Sequence, residues 1–447
     1  MGFRAHHSPR AAKEASYMIT TIIISALTCI AMICGVLFFP KIKIGKLSLG
    51  SYWVITLIGA AVLLLTGSVD LSTVGGALFA DTAINPLKIL VLFISMTVLS
   101  IFLDELGFFR YLASVTLKKA GASQLRLFLL LYVTVSVLTV FTSNDIIILS
   151  FTPFICYFAK NARISPLPYL AAEFVAANTW SMALIIGNPT NIYLVTAAGG
   201  NFVSHLKVMI LPTLAAGAIA CALLFLLFKS KLGEPISAEP DSVELTDKTQ
   251  LTVGIIHLAA CTVILAIGSY IGVEMWLVSL ISALSLFACS IIISAVRKKR
   301  PSALLCCLKR APWELIPFII SMFVMVEALG ANGVTEAIFG LLGDRAPVWS
   351  YGVTSFLAAN LVNNIPMSVL YSSILAQGGS AAAVFATVIG SNLGACLTPI
   401  GALAGIMWSS ILKEHGLKFG YLDFLKIGVT VAIPALAAAL LTLQLVI

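Results

Sequence analysis

Charge is scarce in this chain. Asp, Glu, Lys and Arg make up 10% of its 447 residues, whereas a soluble domain carries about a quarter. With 60% hydrophobic residues and a mean hydropathy of +1.05, no soluble core could hide the apolar surface. The sequence has no His/Asp/Glu metal cluster, no Gly-x-Ser-x-Gly elbow and no Walker motif, so a membrane-embedded enzyme is set aside and no metal or cofactor is expected. Its nine cysteines (Cys29, Cys34, Cys156, Cys221, Cys261, Cys289, Cys306, Cys307 and Cys396) have neither disulfide nor zinc spacing. Most lie in apolar runs, as small core residues do. The net charge of +8 does not point to nucleic acid, because the basic residues sit in short loops. No separate cleavable signal is visible, since the first hydrophobic stretch is long enough to remain as a span.

What is present is a series of segments reaching the roughly 20 apolar residues that a bilayer helix needs. Full spans are expected at roughly 17–39, 49–67, 87–104, 168–198, 208–229, 251–268, 274–295, 314–342, 381–412 and 425–446. Two of them, 168–198 and 381–412, are too long for one straight helix and contain Gly and Pro. Two more apolar stretches, 125–159 and 350–376, carry a polar interruption near the middle and read as re-entrant hairpins. Residues 108–120 read as an interfacial helix. A polar, acidic linker at 230–250 separates a first repeat (17–229) from a second (251–447), after an N-terminal tail (1–16).

Orientation follows from charge. The stretch from Arg297 to Arg310 is basic without an acid, which makes it a cytoplasmic loop. Counting from there puts the linker, Lys160/Arg163, Lys118/Lys119/Arg126 and Lys41/Lys43/Lys46 inside as well. The first hairpin then opens inward and the second outward. The same count puts the basic N-terminal tail outside, against the charge rule.

The two halves echo each other in order. "SMTVLSIFLDELG" matches "SMFVMVEALG", which sets Asp104 opposite Glu327. Asn144 in the first hairpin corresponds to Asn363 and Asn364 in the second. "NTWSMALIIGNPTNIYL" matches "NLGACLTPIGALAGIMW", with Asn178 to Gly187 and Asn392 to Gly401 equally spaced. The expected fold is therefore all-α and polytopic. It has two inverted repeats, each of about five transmembrane helices plus one re-entrant hairpin, with broken helices at the midplane.

Non-helical backbone at membrane depth is tolerated only where it lines a cavity or is buried in protein. Thr142, Ser143, Asn144 and Asp145 are thus expected at one hairpin tip, and Asn363 and Asn364 at the other. Gly187, Asn188, Pro189, Thr190 and Asn191 would interrupt one long span. Thr398, Pro399 and Gly401 would interrupt the other. Proline frees a carbonyl and glycine permits an unwound turn, so the openings offer carbonyls to a cation or N–H groups to an anion or hydroxide. A single Asn or Thr in a membrane helix is equally readable as packing glue; the matched placement favours a site. Ionisable residues within spans tend to be functional; Asp104, Glu105, Asp145, Glu173 and Glu327 are the candidates for coupling, with Asp145 the first choice and a helix-capping acid its alternative.

At these motifs the chain resembles the arsenical pump membrane protein (arsenite efflux permease) family of the ion transporter superfamily. "LDELGFFRYLA", "SNDIIILSFTP", "VNNIPMSVL" and "IGSNLGACLTPIGALAGIMWSSILKEHG" carry the resemblance. It implies a ten-helix, two-hairpin fold and an ion or oxyanion substrate. "GNPTNIYL" is closer to citrate and divalent-anion transporters of that superfamily, and Ile146, Ile147 and Ile148 stand where the arsenical family has small residues. The leading expectation is proton-coupled arsenite and antimonite efflux by alternating access. The others are sodium- or proton-coupled transport of citrate or dicarboxylates, and sodium/proton antiport. Arsenite is mostly a neutral trihydroxide near neutral pH, which suits clusters that contain no Arg or Lys. Cys396 and the Cys306-Cys307 pair are read as packing residues before thiol ligands. Candidate partners are the substrate ion, a proton or sodium ion, membrane lipid, a second copy of the chain, and a cytoplasmic ATPase docked on the linker. The expected location is the plasma membrane of a prokaryote.

Overall fold

The computed structural model describes residues 9–45, 47–81, 85–233, 236, 245, 247–343 and 345–447. Much of the linker (Glu234, Pro235, Glu239, Pro240, Asp241, Glu244) and the start of the tail, with Arg4, His6 and His7, lie outside the described residues. The first half runs through α1 (Pro9–Phe38), a ribbon of β1 (Lys41–Ile44) and β2 (Leu47–Gly50), α2 (Ser51–Leu65), α3 (Leu71–Phe79) and α4 (Pro86–Glu105). It continues with α5 (Phe108–Ala120), α6 (Gln124–Phe141), α7 (Asn144–Ala162), α8 (Leu167–Trp180), α9 (Pro189–Ala197) and α10 (Phe202–Phe228). The second half opens with α11 (Lys248–Ile271), α12 (Met275–Val296), α13 (Ser302–Arg310), α14 (Leu315–Ala331) and α15 (Val334–Leu342). It closes with α16 (Pro347–Val362), α17 (Asn364–Leu375), α18 (Ala381–Gly394), α19 (Leu403–Glu414), α20 (Tyr421–Ile427) and α21 (Ile433–Val446), the last two joined by a π-helical turn. Among the described residues, eight helices are long and apolar enough to cross a membrane. The chain is a multi-pass membrane protein.

Several boundaries differ from the sequence reading. Lys41 to Gly50 is an antiparallel ribbon, with Lys41 opposite Gly50, rather than a plain loop. Ser302–Arg310 is a helix inside the stretch read as a basic loop; its apolar residues fall on one face, with Leu304 and Cys307 buried. The 314–342 segment is two helices, parted at Asn332-Gly333, where Gly333 takes φ 74°. The first break also sits earlier than expected, whereas the second, between α18 and α19, holds Thr398, Pro399 and Gly401 as expected. Helix α8 ends at Trp180, and Pro189, Thr190 and Asn191 already form the first turn of α9. Proline at the first helical position has no N–H to lose, so here it starts a helix instead of unwinding one.

Packing between the halves is reciprocal. Helix α4 lies against α12 as α14 lies against α2, and α7 lies against α19 as α17 lies against α9. Within the halves, α6 packs on α8 and α10 on α8, as α16 packs on α18 and α21 on α18. Helices α10 and α21 pack on each other. Helices α4 and α14 run in opposite senses. Arg310, just before α14, reaches Asp104 at the end of α4 (2.8 Å), so the end of one and the start of the other share a side. On that same side Glu314 accepts hydrogen bonds from Gly50 N–H (3.1 Å) and the Tyr52 hydroxyl (3.1 Å). The opposite end gathers Asp81, Lys88 and Glu274.

Candidate functional site

The hairpin tips and the broken helices meet through side-chain amides. Helix α6 ends at Phe141, Thr142 and Ser143 make the tip, and α7 starts at Asn144. Thr142 turns its hydroxyl back to the Leu138 carbonyl (2.7 Å). Asn144 Nδ2 donates to Asn178 Oδ1 (3.1 Å), near the end of α8. Ser181, the first residue of the break, bonds through its hydroxyl to the Asn178 carbonyl (2.9 Å) and to Asn392 Oδ1 in the other half (2.8 Å). Asn392 Oδ1 also accepts from Asn188 Nδ2 (3.0 Å), and its amide donates to Asn191 Oδ1 (2.7 Å). Asn191 in turn ties the break with bonds to the Ser181 and Leu184 carbonyls. Gly187 is obligatory here, since a Cβ would lie 2.3 Å from the Ser181 carbonyl oxygen.

The second tip is built by strain and held by the second break. Asn363 has φ 73° and ψ 151°, a region that side chains other than glycine's rarely tolerate and that clusters at functional sites. Its Nδ2 donates to the Ile400 carbonyl (3.0 Å), and the next N–H, of Asn364, donates to the Gly401 carbonyl (3.0 Å). Asn360 was not singled out from the sequence, yet it donates to the Gly394 carbonyl (3.0 Å) and accepts from the Thr398 hydroxyl (2.6 Å). Ser181 was missed as well. Asn360 stands within the "NLVNNIPM" motif, and Ser181 follows Asn178 by three residues; position inside the motifs was the available signal. Pro399 lies in the break beside these groups, where its carbonyl closely approaches Gly405.

Four helices, α7, α9, α17 and α19, begin at these tips and breaks, and α6, α8, α16 and α18 end there. Partial positive and partial negative helix ends are therefore both on offer. Asn144 Oδ1, Thr179 Oγ1, Thr190 Oγ1 and Ser391 Oγ are buried there without a hydrogen-bond partner among the described residues. Such groups are uncommon in folded proteins and call for an explanation. No Lys or Arg among the described residues hydrogen-bonds to the Asn, Ser or Thr side chains of the junction.

The acids separate by environment. Asp104 is buried, accepts from the Ser150 hydroxyl (2.6 Å) and pairs with Arg310; Glu105 pairs with the same guanidinium. The pair ties α4 to α7 and α13. Glu327 is half-buried, and no hydrogen bond or ion pair engages it among the described residues. Asp145 lines a cavity of about 390 Å³ with Thr97, Tyr52, Arg310, Glu314 and Met407, and it too has no bonded partner there. Glu173 is fully buried and accepts from the Thr152 hydroxyl (2.8 Å) and from the Trp408 indole (3.3 Å).

Comparison with known proteins finds relatives along most of the chain. The citrate transporter family model matches residues 46–386. The arsenical pump membrane protein of Escherichia coli (strain K12) is 27% identical over 421 residues, covering 89% of this chain and 94% of that protein. The arsenical pump membrane protein of Yersinia enterocolitica is 26% identical over 380 residues, covering 79% and 85%. A 46 kDa membrane protein of Mycobacterium leprae (strain TN) is 25% identical over 367 residues, covering 79% and 84%. Among solved structures, the YdaH transporter of Alcanivorax borkumensis, reported to have an unusual topology, is similar with a TM-score of 0.55 over 95% of this chain and 97% of that one. At 12% identity that is a likeness of fold.

Proposed function

This chain belongs to the citrate transporter family, and on that premise we propose that it exports arsenite and antimonite by alternating access, coupled to protons. It is a multi-pass ion transporter of a prokaryotic cell membrane. The observation that carries the arsenite reading is the make-up of the junction. It consists of amides and hydroxyls, four of whose polar atoms are buried without a partner, and no cation bonds to it, among the described residues. A neutral trihydroxide offers three donors and acceptors to such groups, and its binding leaves no net charge buried.

The cavity beneath the first tip supports the same choice. Arg310 is already paired with both Asp104 and Glu105, so its charge is spent. Asp145 brings an unpaired carboxylate to the lining, which repels a polyanion. Reciprocal packing of the halves and the opposed senses of α4 and α14 support two inverted repeats working about a shared site.

A second reading, transport of an organic anion such as citrate, is favoured by the family description and by Lys41 in the cavity lining. One experiment separates the two. Everted membrane vesicles from cells without their own arsenite efflux, energised with a proton gradient, should accumulate arsenite above the empty-vector level, and an uncoupler should abolish it. Citrate uptake without arsenite uptake would overturn the proposal.

A further inference from the structure

We infer that Glu173 is the residue that carries the coupling proton. The inference rests on the proton-coupled reading above and selects one of its acids. Glu173 lies on α8, five residues before Asn178. It touches α7 through Thr152 and crosses to the other half of the molecule through Trp408 of α19. It is thus bonded to both partners of the α7–α19 contact, one of the cross-half contacts that alternating access would have to remake.

The matching place in the second half shows that packing alone does not require an acid. Counting from Asn392 and Asn364 as from Asn178 and Asn144, Glu173 corresponds to Thr387 and Thr152 to Ser372. Thr387 and Ser372 are both buried and satisfy their hydroxyls on their own helices, at the Ala383 carbonyl (2.7 Å) and the Val369 carbonyl (2.7 Å). Trp408 corresponds to Leu194, which has no donor. The first half therefore carries a carboxyl, with a cross-half donor to meet it, where the second carries a self-contained hydroxyl.

The surroundings isolate that carboxyl. Phe174, Phe419 and Phe424 close on Trp408, with ring centroids 5.0, 5.1 and 5.7 Å away. The titratable group that faces Glu173 from α7 is the Cys156 thiol. From α19 comes the Trp408 indole, and from α20 the apolar Phe424. No Lys, Arg or His bonds to Glu173 among the described residues. A buried carboxylate with no cation is costly, and uptake of one proton removes the charge. The Trp408 N–H can only donate, whereas the Thr152 hydroxyl can donate or accept. The proton therefore belongs on Oε1, with Thr152 reversing its bond and Trp408 keeping its own on Oε2. Asp145, open to the cavity, and Asp104, held by Arg310, lack this isolation.

The test uses the full-length protein in proteoliposomes with arsenite. Glu173→Gln should lose accumulation driven by a proton gradient and keep exchange of arsenite between equal concentrations. Gradient-driven accumulation at the wild-type level in Glu173→Gln would overturn the inference. Infrared pH-difference spectra of the protein without substrate should show a carboxyl C=O band that Glu173→Gln removes, and an unchanged band would also overturn it. If the wild type moves no arsenite, the efflux reading fails, while the infrared band still judges Glu173. If Glu173→Gln does not fold, Trp408→Phe takes its place. Loss of one donor should shift that band and its pH midpoint, and no shift counts against Glu173.

Discussion

Asn392 uses its whole side-chain capacity. Its oxygen accepts from Ser181 and Asn188, and its amide donates to Asn191 and to the Val388 carbonyl one turn back. Three of these four bonds cross between the halves. Asn392→Ala would leave several buried groups unpaired, at a cost of about 1–3 kcal/mol each. A clear drop in melting temperature in detergent and at least about tenfold slower transport, about 1.4 kcal/mol in the barrier, are expected. An Asn392→Ala protein with wild-type melting and uptake would show that the network is dispensable. At Asn363 the strained backbone and the Ile400 contact act together. Asn363→Gly should keep the backbone but lose the contact, and Asn363→Ala should lose the contact and retain the strain. Melting should therefore be lower for Asn363→Ala than for Asn363→Gly, and equal melting of the two would show that the backbone is not strained. The sequence named Asn144, Asn178, Asn188, Asn191, Asn363, Asn364 and Asn392 from motif position alone. It did not reveal Ser181 or Asn360, because one polar residue in an apolar helix looks the same whether it bonds its own backbone or a distant element.

At the scale of elements, α16 and α18 approach backbone to backbone. A Cβ at Gly390 would come within 2.0 Å of the Ser355 hydroxyl and 2.4 Å of the Gly352 carbonyl oxygen. Gly390→Ala must push the second hairpin away from its broken helix, and overpacking of this kind costs about 1–3 kcal/mol. Gly76→Ala, on α3 with nothing within 4 Å of the new atom, is the matched control and should melt like wild type. Equal melting of the two variants would show that the α16–α18 approach tolerates a methyl group. Hydropathy located the long helices, both polar hairpin tips and the two interrupted spans, because burial in lipid leaves a continuous apolar signal. It missed α13 and the division between α14 and α15. A nine-residue helix with basic residues in its last turn averages to a loop, and a single Asn-Gly step is lost in a long apolar window.

Across the whole molecule, the end opposite the Glu314–Tyr52 contact is fastened by charge. Lys88 reaches Asp81 (2.6 Å) and Glu274 (2.9 Å), and its hydrogen bonds hold both carboxyls below their ordinary range. Their folded-state values lie below the unfolded ones, so the contribution is complete above the ordinary carboxylate range and is lost as pH falls through the folded values. It is small, because both acids are well exposed. The melting difference between wild type and Lys88→Met should be largest near neutral pH and close at acid pH, and a difference independent of pH would contradict this. The reciprocal packing also bears on how the protein is made. During synthesis α2 and α4 enter the membrane long before α14 and α12, the helices they rest on, have been translated. The early half must wait in lipid with its contact faces uncovered. Two separately encoded pieces, divided within the linker, should therefore assemble when produced together, while either piece alone should be cleared by proteolysis; stable accumulation of one piece by itself would show that the early half needs no late partner.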